Sequence, residues 1–253
     1  MQKKGYMLIG NWKMYMSTYE ARAWLESHTK NLATTLKGSG HSLVLCPSFD
    51  ALFLVQQFLK DSSIEYGAQD CSEHIQGAYT GQVSAQSLQD LGCSYGIIGH
   101  SEVRQFHAET SDIVAQKMVR LLEHAITPII CIGESHQDYL NGKAQEHIKK
   151  QLKPIERALT SYKKSANLII AYEPIWSIGT GIVPEVNYLE SIFEFINSLT
   201  ASWPKTTTFK LLYGGSVNEK SSIQLKNIAA LDGFLVGKAS TDPKKLSDML
   251  KLL

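Results

Sequence analysis

Glu173 ends an otherwise uncharged apolar run, Leu168-Ile169-Ile170-Ala171-Tyr172. A carboxylate at the end of such a run has neighbours that strip water from it, which is the setting of a general base. A surface glutamate opening a loop is the plain alternative. His100 follows another apolar run and leads into Ser101-Glu102-Val103-Arg104, which reads as a helix start. The positive end of a helix disfavours imidazolium, so an imidazole there suits hydrogen-bond donation to a carbonyl. A capping or core histidine is the alternative. Lys13 stands two residues past Asn11, just after the first apolar run. Alone, a lysine is a solvated surface group; brought beside His100 and Glu173, its point charge suits an anionic substrate.

Two glycine clusters add backbone donors. They are Gly214-Gly215-Ser216-Val217-Asn218 and Gly237-Lys238-Ala239-Ser240. Backbone N–H groups in such turns, next to a helix start, hold phosphate, although glycine also merely punctuates turns. After Glu173 runs Pro174-Ile175-Trp176-Ser177-Ile178-Gly179-Thr180-Gly181-Ile182-Val183. Its apolar side chains and Gly-Thr-Gly tip fit a lid that buries them on closing; a rigid loop packed on its neighbours is the alternative. The other histidines (His28, His41, His74, His107, His124, His136 and His147) read as surface residues, and none has metal-ligand spacing with another.

These residues need elements to bring them together. Strand-type runs fall at 6–10, 42–46, 65–69, 95–99, 128–133, 168–172, 209–213 and 233–237. Helical periods lie between them at 19–36, 49–59, 85–91, 111–125, 137–161, 185–199, 218–226 and 243–252. Asp242-Pro243 marks the last helix start, an N-cap followed by proline at the first helical position. The strand runs are apolar on both faces, as buried parallel strands are. Strict alternation over 253 residues predicts one α/β domain, residues 1–253, folded as an eight-stranded parallel (β/α)8 TIM barrel. An open doubly wound sheet is the rival, but the first strand leads into Asn11-Trp12-Lys13 rather than a glycine-rich dinucleotide turn. In a barrel the residues after the strand ends share one rim. That rim would hold Asn11, Lys13, Gln69, Asp70, His100, Glu102, Glu134, Glu173 and both glycine clusters, a site for phosphate or carboxylate chemistry.

Composition narrows the partners. Hydrophobic residues make up 43 % and charged residues 19 %, enough to bury a core and too apolar for disorder. A net charge of +1 gives no electrostatic footprint for nucleic acid or an acidic membrane, so neither is expected as a partner. Met7-Leu8-Ile9 is too short for a signal-peptide core, and no apolar stretch approaches a membrane span. Cys46, Cys71, Cys93 and Cys131 form no C-x-x-C pair. Free buried thiols in a reducing, cytoplasmic setting are expected, with no metal.

Six motifs, in order, resemble the triosephosphate isomerase family: Gly10-Asn11-Trp12-Lys13-Met14, Gly99-His100-Ser101-Glu102, Ala171-Tyr172-Glu173-Pro174-Ile175-Trp176, Ile178-Gly179-Thr180-Gly181, Tyr213-Gly214-Gly215-Ser216-Val217 and Asp232-Gly233-Phe234-Leu235-Val236-Gly237. The resemblance runs from the first strand to the last helix. It implies interconversion of dihydroxyacetone phosphate and D-glyceraldehyde 3-phosphate through a cis-enediol(ate), in glycolysis and gluconeogenesis, without a cofactor. On this chain it implies Glu173 as base and His100 as electrophile and proton shuttle. Lys13 and Asn11 would stabilise developing charge, with the Glu102 carboxylate beside them. Asn11, Trp12, Lys13, Gly179, Ser216, Gly237 and Lys238 would bind substrate. It also implies a homodimer in which the loop around Thr80 (Gly77-Ala78-Tyr79-Thr80-Gly81-Gln82) enters the partner's site and braces its Asn11 and Lys13.

The chain departs from the family at several positions. Gln82 and Val103 stand where the family often has glutamate and arginine, so that pair of charges is absent and dimerisation rests more on packing. Lys238 stands where glycine is usual, and Ser177 where alanine is common. A Schiff-base aldolase would need a lysine inside the barrel; Lys210 is the one obvious strand lysine, with no acid evident beside it. A non-catalytic binding module would have lost Glu173, His100 or Lys13.

Overall fold

Eight parallel strands close into a barrel in chain order: β1 (Met7–Asn11), β2 (Ser42–Cys46), β3 (Glu65–Ala68), β4 (Tyr95–Ile98), β5 (Thr127–Ile132), β6 (Ala166–Tyr172), β7 (Thr207–Tyr213) and β8 (Gly233–Val236). β8 pairs back onto β1 through Met7–Gly233 to Gly10–Val236. The coordinates are a computed structural model that describes residues 5–253. Residues 1–4, on which part of the reading about a leader rests, lie outside the described residues.

Successive side chains on a strand point to opposite faces, and both faces here are buried. Ile9, Val44, Cys46, Ile97, Ile129, Cys131, Ile169, Ala171, Leu212 and Leu235 fill the barrel interior. Their neighbours Leu8, Leu43, Leu45, Ile98, Ile130 and Ile170 point outward onto the helices. The helices are α1 (Thr18–Lys37), α2 (Leu52–Leu59), α3 (Ala85–Asp90), α4 (Ser101–Phe106), α5 (Ser111–Glu123), α6 (His136–Leu140), α7 (Ala144–Tyr162), α8 (Val186–Thr200), α9 (Glu219–Leu225) and α10 (Pro243–Leu252). α1 starts on a capping box between Ser17 and Glu20. α10 starts as its sequence predicts, with Asp242 accepting from the Lys244 and Lys245 amides.

Three local differences from the sequence reading have physical causes. The helix expected over 137–161 is two helices, because Gly142 adopts φ +66° and its amide turns back to Tyr139 O. The stretch 49–59 begins as a 3-10 turn (Phe49–Ala51) before α2. The helix start at Ser101 extends through Phe106 as α4. The four cysteines are free and buried. Among the described residues no helix is long and apolar enough to cross a membrane.

The loop after β3 folds on itself. Ser72 N donates to Val83 O at its base, and His74 stacks on Tyr79 with ring centroids 3.6 Å apart. Gln82, the departure noted above, bonds to the Ser72 hydroxyl of its own loop. Val103, Asp70, Glu109 and Lys117 line a cavity of about 320 Å³ beneath that loop. Within it Lys117 reaches Asp70 at 2.7 Å and also contacts Glu109. Burial alone would lower the Lys117 pKa, but the two carboxylates outweigh it and hold the ammonium above its usual value.

Candidate active site at the barrel mouth

Lys13 is held in an unusual backbone conformation, φ +49°, in the left-handed region. For a residue with a Cβ this costs about 1–2 kcal/mol, so its neighbours must fix it. Asn11 Oδ1 accepts from Lys13 N at 3.0 Å. Gln69 Nε2 donates to Lys13 O at 2.9 Å and to Cys46 O at 3.0 Å. The side chain then crosses the mouth, and Nζ lies 2.6 Å from Glu102 Oε1. Strain held this way clusters at functional sites. Trp12 turns the other way: its indole is 1 % exposed and packs edge-on against Trp24. Any share it has in binding falls to its main chain.

His100 is the N-cap of α4, and its Nδ1 accepts from Glu102 N at 3.2 Å. An accepting Nδ1 carries no proton, so the ring proton is on Nε2. Nε2 faces Glu173 Oε1 at 3.4 Å. Both side chains are buried, at 5 % and 4 % exposure. Arg104, one turn along α4, ties the strand ends together by donating to Gly99 O and Cys131 O.

Glu173 follows β6, and its amide donates to Ile132 O at 2.7 Å. Its position requires glycine on two sides. A Cβ at Gly133 would lie 1.8 Å from Glu173 O, and one at Gly214 would lie 2.8 Å from Glu173 Cγ. Beneath it, burial pushes the Cys131 thiol well above its usual pKa, and the Glu173 carboxylate adds to this. Cys131 therefore stays protonated and offers Glu173 an S–H rather than a second anion.

Glu134 is a residue that the sequence reading placed on the rim but gave no part. It is fully buried and accepts from Tyr172 OH at 2.9 Å, Trp176 Nε1 at 2.7 Å and Tyr188 OH at 3.2 Å. Burial first, then the carboxylate, raises the pKa of Tyr172 far above the phenol value, so the ring keeps its proton and donates. Trp176 also stacks on Tyr139, with centroids 4.3 Å apart. A lone acid after the apolar run of β5, and a tryptophan three residues past Glu173, were the available signal.

The lid lies down on the glycine cluster after β7. Gly181 N donates to Ser216 Oγ at 3.0 Å, and that hydroxyl donates to Ser177 O at 2.5 Å. Gly179 and Gly181 adopt φ +71° and +80° at its tip. After β8, Lys238 begins a 3-10 helix (Lys238–Thr241) and is not in the left-handed region. Its side chain is exposed, with Nζ 5.9 Å over the Tyr15 ring. Gly237 lies beside Lys13: a Cβ there would be 3.5 Å from Lys13 Cε. The mouth thus brings Asn11, Lys13, His100, Glu102, Glu173, Ser216, Gly237 and the lid tip to one place. A paired carboxylate and imidazole can pass a proton between adjacent carbons and their oxygens, and a cation with backbone donors can hold an anion. Lys210, the aldolase alternative, is exposed on β7 and outside this group.

A closed parallel barrel with such a mouth belongs to the phosphate-handling barrel enzymes that move protons. The comparisons narrow the class. The family model for triosephosphate isomerase matches residues 6–253. A triosephosphate isomerase of Thermus thermophilus is 39 % identical over 249 residues, covering 97 % of this chain and 98 % of that protein. One of Dictyoglomus turgidum is 35 % identical over 249 residues, covering 97 % and 98 %. One of Polynucleobacter asymbioticus is 35 % identical over 243 residues, covering 94 % and 95 %. The chain belongs to the triosephosphate isomerase family.

Proposed function

We propose that this chain interconverts dihydroxyacetone phosphate and D-glyceraldehyde 3-phosphate, the step common to glycolysis and gluconeogenesis, as one (β/α)8 domain. The observation that carries the reading is the 3.4 Å approach of His100 Nε2 to Glu173 Oε1. A substrate lying across this pair would meet both groups, its carbonyl at His100 and its neighbouring carbon at Glu173. Glu173 takes a proton from one carbon and returns it to the next. His100, neutral with its proton on Nε2, donates to the carbonyl oxygen as charge develops and passes protons between the two oxygens of the cis-enediolate. Lys13 and Asn11 stabilise the developing oxyanion. Glu102 positions both, through its carboxylate on Lys13 and its amide on His100. Gly179, Ser216, Gly237 and Lys238 hold the phosphate. No cofactor enters, because the carbonyl and its α-hydrogen supply everything the isomerisation moves.

Apolar side chains exposed after adjacent strands support a homodimer. Met14, Tyr15, Phe49, Phe53, Ile75, Tyr79 and Phe106 are 40–95 % exposed on the loops and helices following β1 to β4. An apolar field of this kind marks an interaction surface. The exposed loop carrying Thr80 stands within it, and in the proposed dimer it enters a second copy near Asn11 and Lys13. Four buried free thiols suit a reducing cytoplasm. The test is isomerisation of glyceraldehyde 3-phosphate by the purified protein, coupled to a dehydrogenase that consumes the ketose product. Turnover of the triose phosphate supports the reading, and absence of turnover overturns it.

A further inference from the structure

Ser177 is the last residue of the 3-10 turn that opens the lid (Ile175–Ser177), and it is fully buried. Its hydroxyl touches three separate parts of the chain. It donates to Ile182 O at 2.6 Å, at the far end of the lid. It accepts from Ser216 N at 3.2 Å, in the glycine cluster after β7. It lies 3.1 Å from the hydroxyl of Tyr213, the last residue of β7. A serine hydroxyl has one donor and two acceptor sites. With its own proton on Ile182 O, the third contact must be donation from Tyr213 OH, so the hydroxyl is saturated. Tyr213 is itself fully buried, and burial pushes its phenol up to about 12, so it retains the proton it donates. The site is also shaped for this contact. A Cβ at Gly215 would come within 2.3 Å of Tyr213 Oη and 2.7 Å of Ser177 Oγ.

These three bonds join the two ends of the lid to each other and to the phosphate side of the mouth. Lifting the lid would separate Ser177 from Tyr213 and Ser216 and leave buried polar groups to be rehydrated. Pro184, two residues after Ile182, has no N–H to offer Tyr213 in exchange. We infer that Ser177 is a positioning residue for the isomerisation, its hydroxyl latching the closed lid to Tyr213 and Ser216 so that phosphate and enediolate stay held together. This rests on the proposed isomerase activity. The consequence appears in what becomes of the enediolate. In a loosened site the C–O bond to phosphate breaks, its electron pair leaves with inorganic phosphate, and the remaining enol gains a proton on carbon and loses one from oxygen to become methylglyoxal. No oxidant or reductant is needed.

The experiment compares the wild-type protein with Ser177→Ala, Tyr213→Phe and the double variant. It reads kcat, KM, the ratio of methylglyoxal to isomerised product, and Tm. A latch made of one shared hydrogen-bond junction predicts that Ser177→Ala raises the methylglyoxal ratio and KM about fivefold, the size of one buried hydrogen bond. kcat should change less and Tm little, and the double variant should behave like Ser177→Ala alone. An unchanged methylglyoxal ratio in Ser177→Ala, or a double variant whose effects multiply, overturns the latch. If Ser177→Ala does not fold, the ratio in Tyr213→Phe, which keeps the ring, decides: a rise supports the latch and no rise overturns it. Wild-type protein that does not isomerise would instead remove the functional reading on which the latch depends.

Discussion

At the residue scale the site depends on side chains whose position is fixed by something other than themselves. Lys13 shows this most clearly. Its left-handed backbone is held by Asn11 and Gln69, and its ammonium is aimed by Glu102. Removing the charge while keeping the stem, Lys13→Met, should lower kcat/KM at least about 100-fold, the usual loss for one oxyanion-stabilising group. Steady-state kinetics on purified protein reads this, and a normal kcat/KM would place Lys13 outside the chemistry. Lys238 is the contrary case. Its backbone is not left-handed and its exposed ammonium lies over Tyr15. The position therefore does not require a positive φ, and it tolerates a side chain that points to solvent. Lys238→Gly should change KM by no more than about threefold, and less at high salt, as for a screened surface charge. A tenfold rise in KM would mean that the phosphate site depends on the lysine. Glu173, His100 and Lys13 were legible as candidates because each follows an apolar strand, and the fold brings them together. The sequence did not reveal the part of Glu134, whose three donors come from Tyr172 on β6, Trp176 in the lid and Tyr188 on α8, residues that only the folded chain brings together. Trp12, adjacent to two polar site residues in sequence, lies just past the end of β1 and faces the core, packed against Trp24.

At the element scale the strands were legible and the helix ends were not. Strand runs are short, apolar and bounded by polar residues, so each predicted run overlaps its observed strand. The helical reading over 137–161 passed through Asn141-Gly142-Lys143 because the apolar period resumes on the far side. Ile148, Leu152, Ile155 and Leu159 carry the buried face of α7. A positive φ at Gly142 is a local event that periodicity does not register. The loop after β3 and helix α5 meet through another feature that only the folded chain displays, the Lys117 ammonium beneath Asp70 and Glu109. Lys117 and Glu109 are buried at 7 % and 3 % side-chain exposure. Removing the cation leaves the buried Glu109 carboxylate and the partly buried Asp70 without their shared counter-charge. Lys117→Met should therefore destabilise the fold by about 3 kcal/mol or more, measured by urea unfolding. A loss well under 1 kcal/mol would show that water already solvates those carboxylates.

At the scale of the whole molecule, one barrel performs two tasks: a sealed interior beneath and a reactive mouth above. Cys46 and Cys131 point into the interior, while Cys71 and Cys93 lie in the shell between strands and helices. Burial raises all four thiols, Cys93 to about 12. A thiol reagent at pH 8 should modify none of them in the native protein within the time that four react in denaturant. Rapid labelling of the native protein would mean that the barrel opens far more readily than its packing implies. The mouth offers the most direct test of the account. Glu173→Gln preserves the shape and removes the proton acceptor that faces His100 at 3.4 Å. The coupled isomerase assay on this variant should show kcat lowered by at least roughly 10²–10⁴-fold, with circular dichroism and Tm close to those of the wild-type protein. Near-normal turnover by a folded Glu173→Gln variant would contradict the account, because it makes the carboxylate facing His100 the proton acceptor.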